Sequence, residues 1–307
     1  MRIAAAAIAL LAAVAAEGVT IAPGDVAVTA PSCVNACIAT APPPAFYLLD
    51  HSLNVKSLRS GYFVAFGPNG HLFASDGGSV TEYDTALTAV HTFTRPAVST
   101  AALTVDPFGN LFVLSFAGEL TIYSPAGAVL QTISLPFTAS PAVRGPSLDL
   151  GPDECTLFYT DPAQTGRRYN ICAQLPLANL PPGSWNAVRA MSDGGYAAAS
   201  NSTLSIFAAH DQLLRAYTPQ AGEIYALAFD ADPGFILLGT LNGLDRIRLA
   251  DGVPTGHFNS IIVALAVNGE QRPAAAPLAT DIPALSPPLL FAVALGLMAL
   301  AWQRLRA

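Results

Sequence analysis

Charge is what this chain of 307 residues has least of. Asp, Glu, Lys and Arg together make up 11% of it, and Lys56 is its single lysine. Basic residues number 14 against 21 acidic ones, a net charge of −7. Binding to nucleic acid requires a basic face, and this inventory supplies none. Low charge combined with 52% apolar residues also excludes an intrinsically disordered chain. The apolar residues are spread along the sequence and form no series of long spans, which excludes a polytopic transporter. Catalytic signatures are missing as well: there is no Gly-x-Ser-x-Gly elbow, no phosphate loop and no His-Glu-x-x-His. Cys33 and Cys37 have no histidine within thirteen residues on either side, so zinc spacing is absent. The five histidines, His51, His71, His91, His210 and His257, are scattered and read as surface imidazoles. By contrast, 24 glycines and 25 prolines suit a turn-rich β fold.

Both ends are apolar. Residues 1–16 carry one charge, Arg2, before an Ala/Leu/Ile/Val run, and Ala13-Val14-Ala15 supplies the small residues of a cleavage site. This reads as a secretory signal peptide, with an uncleaved anchor as the alternative. At the other end, the fourteen residues Leu289 to Trp302 are uncharged. As a helix they rise about 21 Å, short of a hydrocarbon core of about 30 Å. Counted from Ile282 the stretch reaches 21 residues, enough to span. Arg304 and Arg306 follow it, as the positive-inside rule requires. One transmembrane helix is therefore expected at about 287–303, with the preceding domain outside the inner membrane, facing the periplasm. Four cysteines, Cys33, Cys37, Cys155 and Cys172, make an even set, which in an exported chain points to disulfides. Local pairing, Cys33 with Cys37 and Cys155 with Cys172, is the simplest connectivity; the others stay open.

Residues 17–44 are Ala- and Pro-rich and read as an N-terminal segment outside the folded domain. From residue 45 to 271 the chain repeats itself. Phe63-Val-Ala-Phe66-Gly-Pro-Asn-Gly70-His-Leu-Phe-Ala74 is a strand, a turn and a second strand, and Leu103 to Val113 is another copy. The last apolar residue before each such turn falls at 66, 105, 150, 190, 229 and 267, at intervals of 39, 45, 40, 39 and 38. A second pair of strands follows most hairpins; Leu120 to Ile133 and Leu204 to Tyr217 align without a gap. A period near 40 with four short strands per unit predicts a β-propeller. The sixth hairpin signal leads into the linker at 272–281, and the missing strands appear at Ala45–Asp50 and Leu53–Leu58. The expectation is an all-β, six-bladed ring closed by N-terminal strands. The long third repeat leaves five or seven blades as alternatives.

Asp106-Pro107-Phe108-Gly109-Asn110-Leu111-Phe112-Val113 resembles the hairpins of NHL-repeat and lactonase-like six-bladed propellers. Ile282-Pro283-Ala284-Leu285-Ser286, followed by a short apolar helix and arginines, resembles the PEP-CTERM type of sorting signal in its Ile-Pro-Thr-Leu-Ser variant. The second resemblance covers 282–307. It implies export, recognition by an exosortase-like membrane enzyme, and delivery to the cell surface or extracellular matrix. A plain C-terminal anchor is the alternative.

No catalytic set emerges. Asp106, Asp153, Asp193 and Asp232 sit between paired strands and read as turn residues, as does Asp76 before Gly77-Gly78. The innermost strands offer mostly Ala, Val, Leu and Ile, with Asp149, Asn186 and Arg189 as polar exceptions. No metal or other cofactor is expected. Candidate ligand loops lie between blades, and Arg95, Arg144 and Trp185 stand out there because Arg and Trp dominate interaction hot spots. The sequence thus points to an exported binding module with an extracellular ligand or protein partner. The alternative is a lactonase-like hydrolase holding calcium.

Overall fold

The computed structural model describes residues 19–30, 45–94, 99–138, 146–219 and 222–272. The chain divides into two units, Met1–Ala275 and Ala276–Ala307, and the second lies outside the described residues. So do residues 1–16, expected to be a signal peptide, and Cys33, Cys37, Ile282 to Ser286, Arg304 and Arg306.

Among the described residues there are twenty-four strands and no helix, so none is long and apolar enough to cross a membrane. The N-terminal strands are β1 (Val26–Ala30), β2 (Ala45–Leu49) and β3 (Val55–Ser60). Blade 1 comprises β4 (Phe63–Phe66), β5 (Leu72–Ser75), β6 (Ser79–Tyr83) and β7 (Ala89–Thr94). Blade 2 comprises β8 (Thr100–Val105), β9 (Leu111–Ser115), β10 (Glu119–Tyr123) and β11 (Val129–Ser134). Blade 3 comprises β12 (Leu148–Leu150), β13 (Thr156–Thr160), β14 (Gly166–Asn170) and β15 (Leu175–Pro176). Blade 4 comprises β16 (Ala187–Ala190), β17 (Tyr196–Ser200), β18 (Thr203–Phe207) and β19 (Leu213–Tyr217). Blade 5 comprises β20 (Ile224–Phe229), β21 (Phe235–Thr240), β22 (Leu244–Arg248) and β23 (Pro254–Phe258). The last strand is β24 (Ala264–Val267). The innermost strands β4, β8, β12, β16, β20 and β24 touch in that order, and β24 returns to β4. The ring is a six-bladed β-propeller.

Its closure differs from the sequence expectation. Blade 6 runs β24-β1-β2-β3, so the C-terminus gives one strand and the N-terminus three. The extra strand, β1, comes from the segment read as lying outside the domain. Val26-Ala27-Val28-Thr29 is buried along its whole length between β24 and β2. A strand covered on both faces shows no alternation of polar with apolar residues, and the alternation was the signal being followed.

The apolar core consists of six separate layers, one between each pair of neighbouring blades. Leu111 and Val113 of β9 pack toward blade 1, while Phe112 and Leu114 of the same strand pack toward blade 3. Period two thus sorts each strand's side chains between its two neighbours. Tight hairpins set the register. Asp106 Oδ1 accepts hydrogen bonds from Phe108 N at 2.9 Å and Asn110 N at 2.8 Å. Gly109 occupies the left-handed region there, φ +85°, where a side chain would strain the turn.

Candidate functional site

The innermost strands surround a cavity of about 750 Å³ along the ring axis. Its wall mixes apolar and polar groups, with Ala65, Thr104, Ser147, Arg189, Tyr225 and Ala264 contributed by the six blades in turn. Each inner strand runs from one mouth to the other, so its first residues mark one end and its hairpin turn the other.

Charge collects at the hairpin end. Asp149 of β12 is fully buried. Its Oδ2 accepts from Ala190 N at 2.7 Å, and its Oδ1 accepts from Arg272 Nη2 at 2.7 Å and Arg189 Nη1 at 3.3 Å. Arg189 also donates Nη2 to Glu270 Oε2 at 3.2 Å. Glu270 Oε1 accepts from Phe229 N of blade 5 at 2.7 Å, and Arg272 Nη1 donates to Leu150 O of blade 3 at 2.6 Å. Gln271 N donates to Asp230 O at 3.0 Å. Residues 268–272 therefore form a strap that leaves β24 in blade 6, passes blade 5 and reaches blade 3 across this mouth. Two acids face two arginines, so the cluster is neutral. The Asp149 carboxylate lifts the Arg272 guanidinium above its usual range, against the opposing effect of burial.

At the start of the inner strands of blades 1 and 2 the surface is aromatic instead. Tyr62 is 43% exposed and Phe116 40%. The Phe63 and Phe116 rings meet edge to face, 6.3 Å between centroids. Gly77 fits beside them: a Cβ there would lie 3.7 Å from the Tyr62 ring, and Gly77 O accepts from Thr100 N.

Of the residues singled out from sequence, the structure brings Asp149 and Arg189 together. Asn186 is a bridge, donating Nδ2 to Ile224 O and accepting from Gln164 Nε2. Trp185 is not presented to a ligand. It is 6% exposed in the layer between blades 3 and 4, edge-on to Phe207, with its indole N–H given to Pro181 O at 2.8 Å. Arg95 and Arg144 lie outside the described residues. The turn aspartates are engaged locally. Asp153 accepts from Thr156 Oγ1, Thr156 N and Cys155 N; Asp76 accepts from Ser79 N, Ser79 Oγ and Gly78 N. Burial works to raise these two carboxyls, but the hydrogen bonds outweigh it and hold both below the usual carboxylate range. Asp193 accepts from Gly195 N and Asp232 from Gly234 N.

His71 pairs with Glu82 at 2.7 Å and His257 with Asp245 at 2.8 Å, on separate blades. Among the described residues no group of three or more His, Cys, Asp or Glu could hold a metal ion. The Cys155–Cys172 disulfide forms. Glu270 and Arg272 are the residues that sequence reasoning missed. Their one signal was two charges close together where charge is scarce, and the boundary drawn at 271 fell between them.

No family model matches the chain, and no curated protein matches its sequence. Solved structures do match. A protein of unknown function from Bacteroides caccae superposes with a TM-score of 0.63 at 11% identity, over 81% of this chain and 100% of that one. A chain in the crystal structure of the mitotic checkpoint complex gives 0.51 at 14% identity, over 65% of this chain. This chain spans 64% of the length of that one. The likeness is one of fold. Shared with 1530 solved chains, it selects no activity.

Proposed function

We propose that this protein is an exported, surface-associated propeller that acts as a binding module, held in the inner membrane by its C-terminal segment and processed through the sorting motif Ile282 to Ser286. The observation that carries the binding reading is the asymmetry of the axial cavity. One mouth is crossed by the strap and its ionic groups are engaged with one another. The other begins at Phe63, Ala102, Ser147 and Ala187, with Tyr62 and Phe116 exposed beside it. Concave sites of 300–1,000 Å³ with a few convergent polar groups are where small ligands bind, and about 750 Å³ falls within that range. Export is supported by the Cys155–Cys172 bond, since structural disulfides persist in oxidising compartments. Membrane holding rests on the uncharged run before Arg304 and Arg306.

Two experiments test this. Protease added to spheroplasts should degrade the propeller, and the intact mass should show loss of the signal peptide and cleavage near Ile282. A protected propeller refutes export, and an unprocessed C-terminus in cells holding a sorting enzyme reduces the tail to a plain anchor. For binding, thermal shifts of the full-length protein are measured against neutral sugars, acyl lactones and divalent cations. A ligand should raise Tm in the wild type and not in a Tyr62→Ala/Phe116→Ala variant. Calcium binding coupled to lactone turnover would replace the binding reading with a hydrolase.

A further inference from the structure

The rim of the propeller is made of outer strands, and among the described residues each presents one unpaired backbone edge. Such an edge recruits other strands unless it is short, charged or interrupted by proline. Four of the six rims carry such protection. β3 has Lys56 and Arg59, β19 has Arg215, β23 has Pro254 and Gly256, and β15 is two residues long and includes Pro176. The two that have neither a Lys or Arg nor a proline, and only a bulge near their start, are neighbours, β7 (Ala-Val-His-Thr-Phe-Thr) and β11 (Val-Leu-Gln-Thr-Ile-Ser). β11 has no titratable group at all, and its Val129 and Leu130 are each 58% exposed. β7 carries His91, whose ring stacks edge-on against Phe93.

We propose that the outer edge of β11 is a self-association surface, and that its occupant is β11 of a second copy of this chain. Charge argues for that occupant. Between residues 17 and 281 the chain has 11 basic and 21 acidic residues, so two copies repel each other over most approaches. The uncharged rim of β11 is where they meet without opposing charge, and it is complementary to itself. A twofold axis beside Thr132, normal to the sheet, makes an antiparallel pair with Thr132 against its copy and Gln131 against Ile133 on either side. Every such pair has matching parity, so the side chains meet on the same face. The ladder from Gln131 to Ser134 is regular; Leu130, just before it, is the bulged residue left out between the Ile122–Gln131 and Tyr123–Val129 pairs. A contact of one strand per copy is small, below the roughly 1,200 Å² of stable complexes, so the association belongs to the weak, transient class. Confinement of both copies to one membrane would favour it.

The test uses the full-length protein in membranes. Directly opposed residues in a strand pair have Cβ atoms about 4.5–5.5 Å apart, close to what a disulfide spans. Under mild oxidation, Thr132→Cys should give a covalent dimer of twice the chain mass, well above the wild-type background. Leu213→Cys, 51% exposed on β19 beside Arg215, should not. Adding Leu130→Lys to Thr132→Cys should lower the dimer yield several-fold, with the thermal melt unchanged because Leu130 is exposed. Equal cross-linking at 132 and 213, or an undiminished yield with Leu130→Lys, overturns the proposal. A covalent adduct of any other mass also overturns it and assigns the edge to a foreign strand. None of these readings depends on a ligand in the cavity.

Discussion

Blades 2 and 3 are neighbours with the same topology, and they are held together differently. In blade 2 the four strands have six, five, five and six residues, and its polar side chains are largely engaged in its own turns. In blade 3 the innermost strand has three residues and the outermost two. The hydrogen bonds lost with those residues are offset by cross-links. Cys155, in the turn after β12, is bonded to Cys172, in the turn after β14. Arg167 donates to Asp161 at 2.9 Å, and Arg168 reaches Asp211 of blade 4 at 2.6 Å. Tyr159 donates its hydroxyl to Pro136 O, and burial raises its pKa well above the usual phenol value. A long strand specifies its blade through many weak, repetitive contacts. A short one needs a few specific partners, each of which can be removed singly.

The contrast can be broken at its deepest point first. Asp149→Ala leaves Arg189 and the partly exposed Arg272 without their shared carboxylate. Removing one partner of a buried ion pair costs about 4 kcal/mol, and urea unfolding should show it. Thr104→Ala, at the matching position in blade 2, should cost about 1 kcal/mol. Next is the covalent tie. Cys155 and Cys172 are 17 residues apart, and closing a loop of that order contributes about 3 kcal/mol. A Cys155→Ser/Cys172→Ser variant should lose that much, and reductant should lower the wild-type Tm but not the variant's.

The turns sharpen the comparison. Asp106→Ala in blade 2 removes two backbone hydrogen bonds and one from Asn110 Nδ2, and should cost about 2 kcal/mol. Asp153→Ala should cost less, because the adjacent disulfide holds its turn closed. The smallest effect is acid sensitivity. Asp76 and Asp153 titrate below the usual value of 3.8 when folded, so their stabilisation is fully present above that pH. It is lost as pH falls through the lowered folded values. Tm measured from pH 5 to pH 2 should fall less steeply for Asp76→Asn/Asp153→Asn than for the wild type.

The same contrast governs what could be read from the sequence. The spacing of hairpins at 39, 45, 40, 39 and 38 residues located all six inner strands, because each hairpin is a local object made of alternating side chains and turn formers. The aligned stretches Leu120 to Ile133 and Leu204 to Tyr217 fall on β10–β11 and β18–β19. What resisted was non-local. β1 is identified by its partners, β24 and β2, and not by its own pattern. Trp185 looks the same in sequence whether it faces a ligand or Phe207. The cluster at the strapped mouth joins residues from β12 and β16 to the chain's exit at 270–272, and only the closed ring brings these together. Asp149 and Arg189 were noticed singly because charge on an inner strand is unusual. Their partners were read as the end of the domain and the start of a linker.

The ring closure has a consequence for timing. Val26 pairs with Val267, so the first of the described strands to emerge during synthesis waits for the last of them. Until Ala264 to Val267 arrive, β1 has a bare edge, and the incomplete ring is the species exposed to mispairing with other chains. Folding rates should therefore depend on the arrival of Ala264 to Val267. A chain truncated before Ala264 should aggregate rather than settle into a five-bladed remnant.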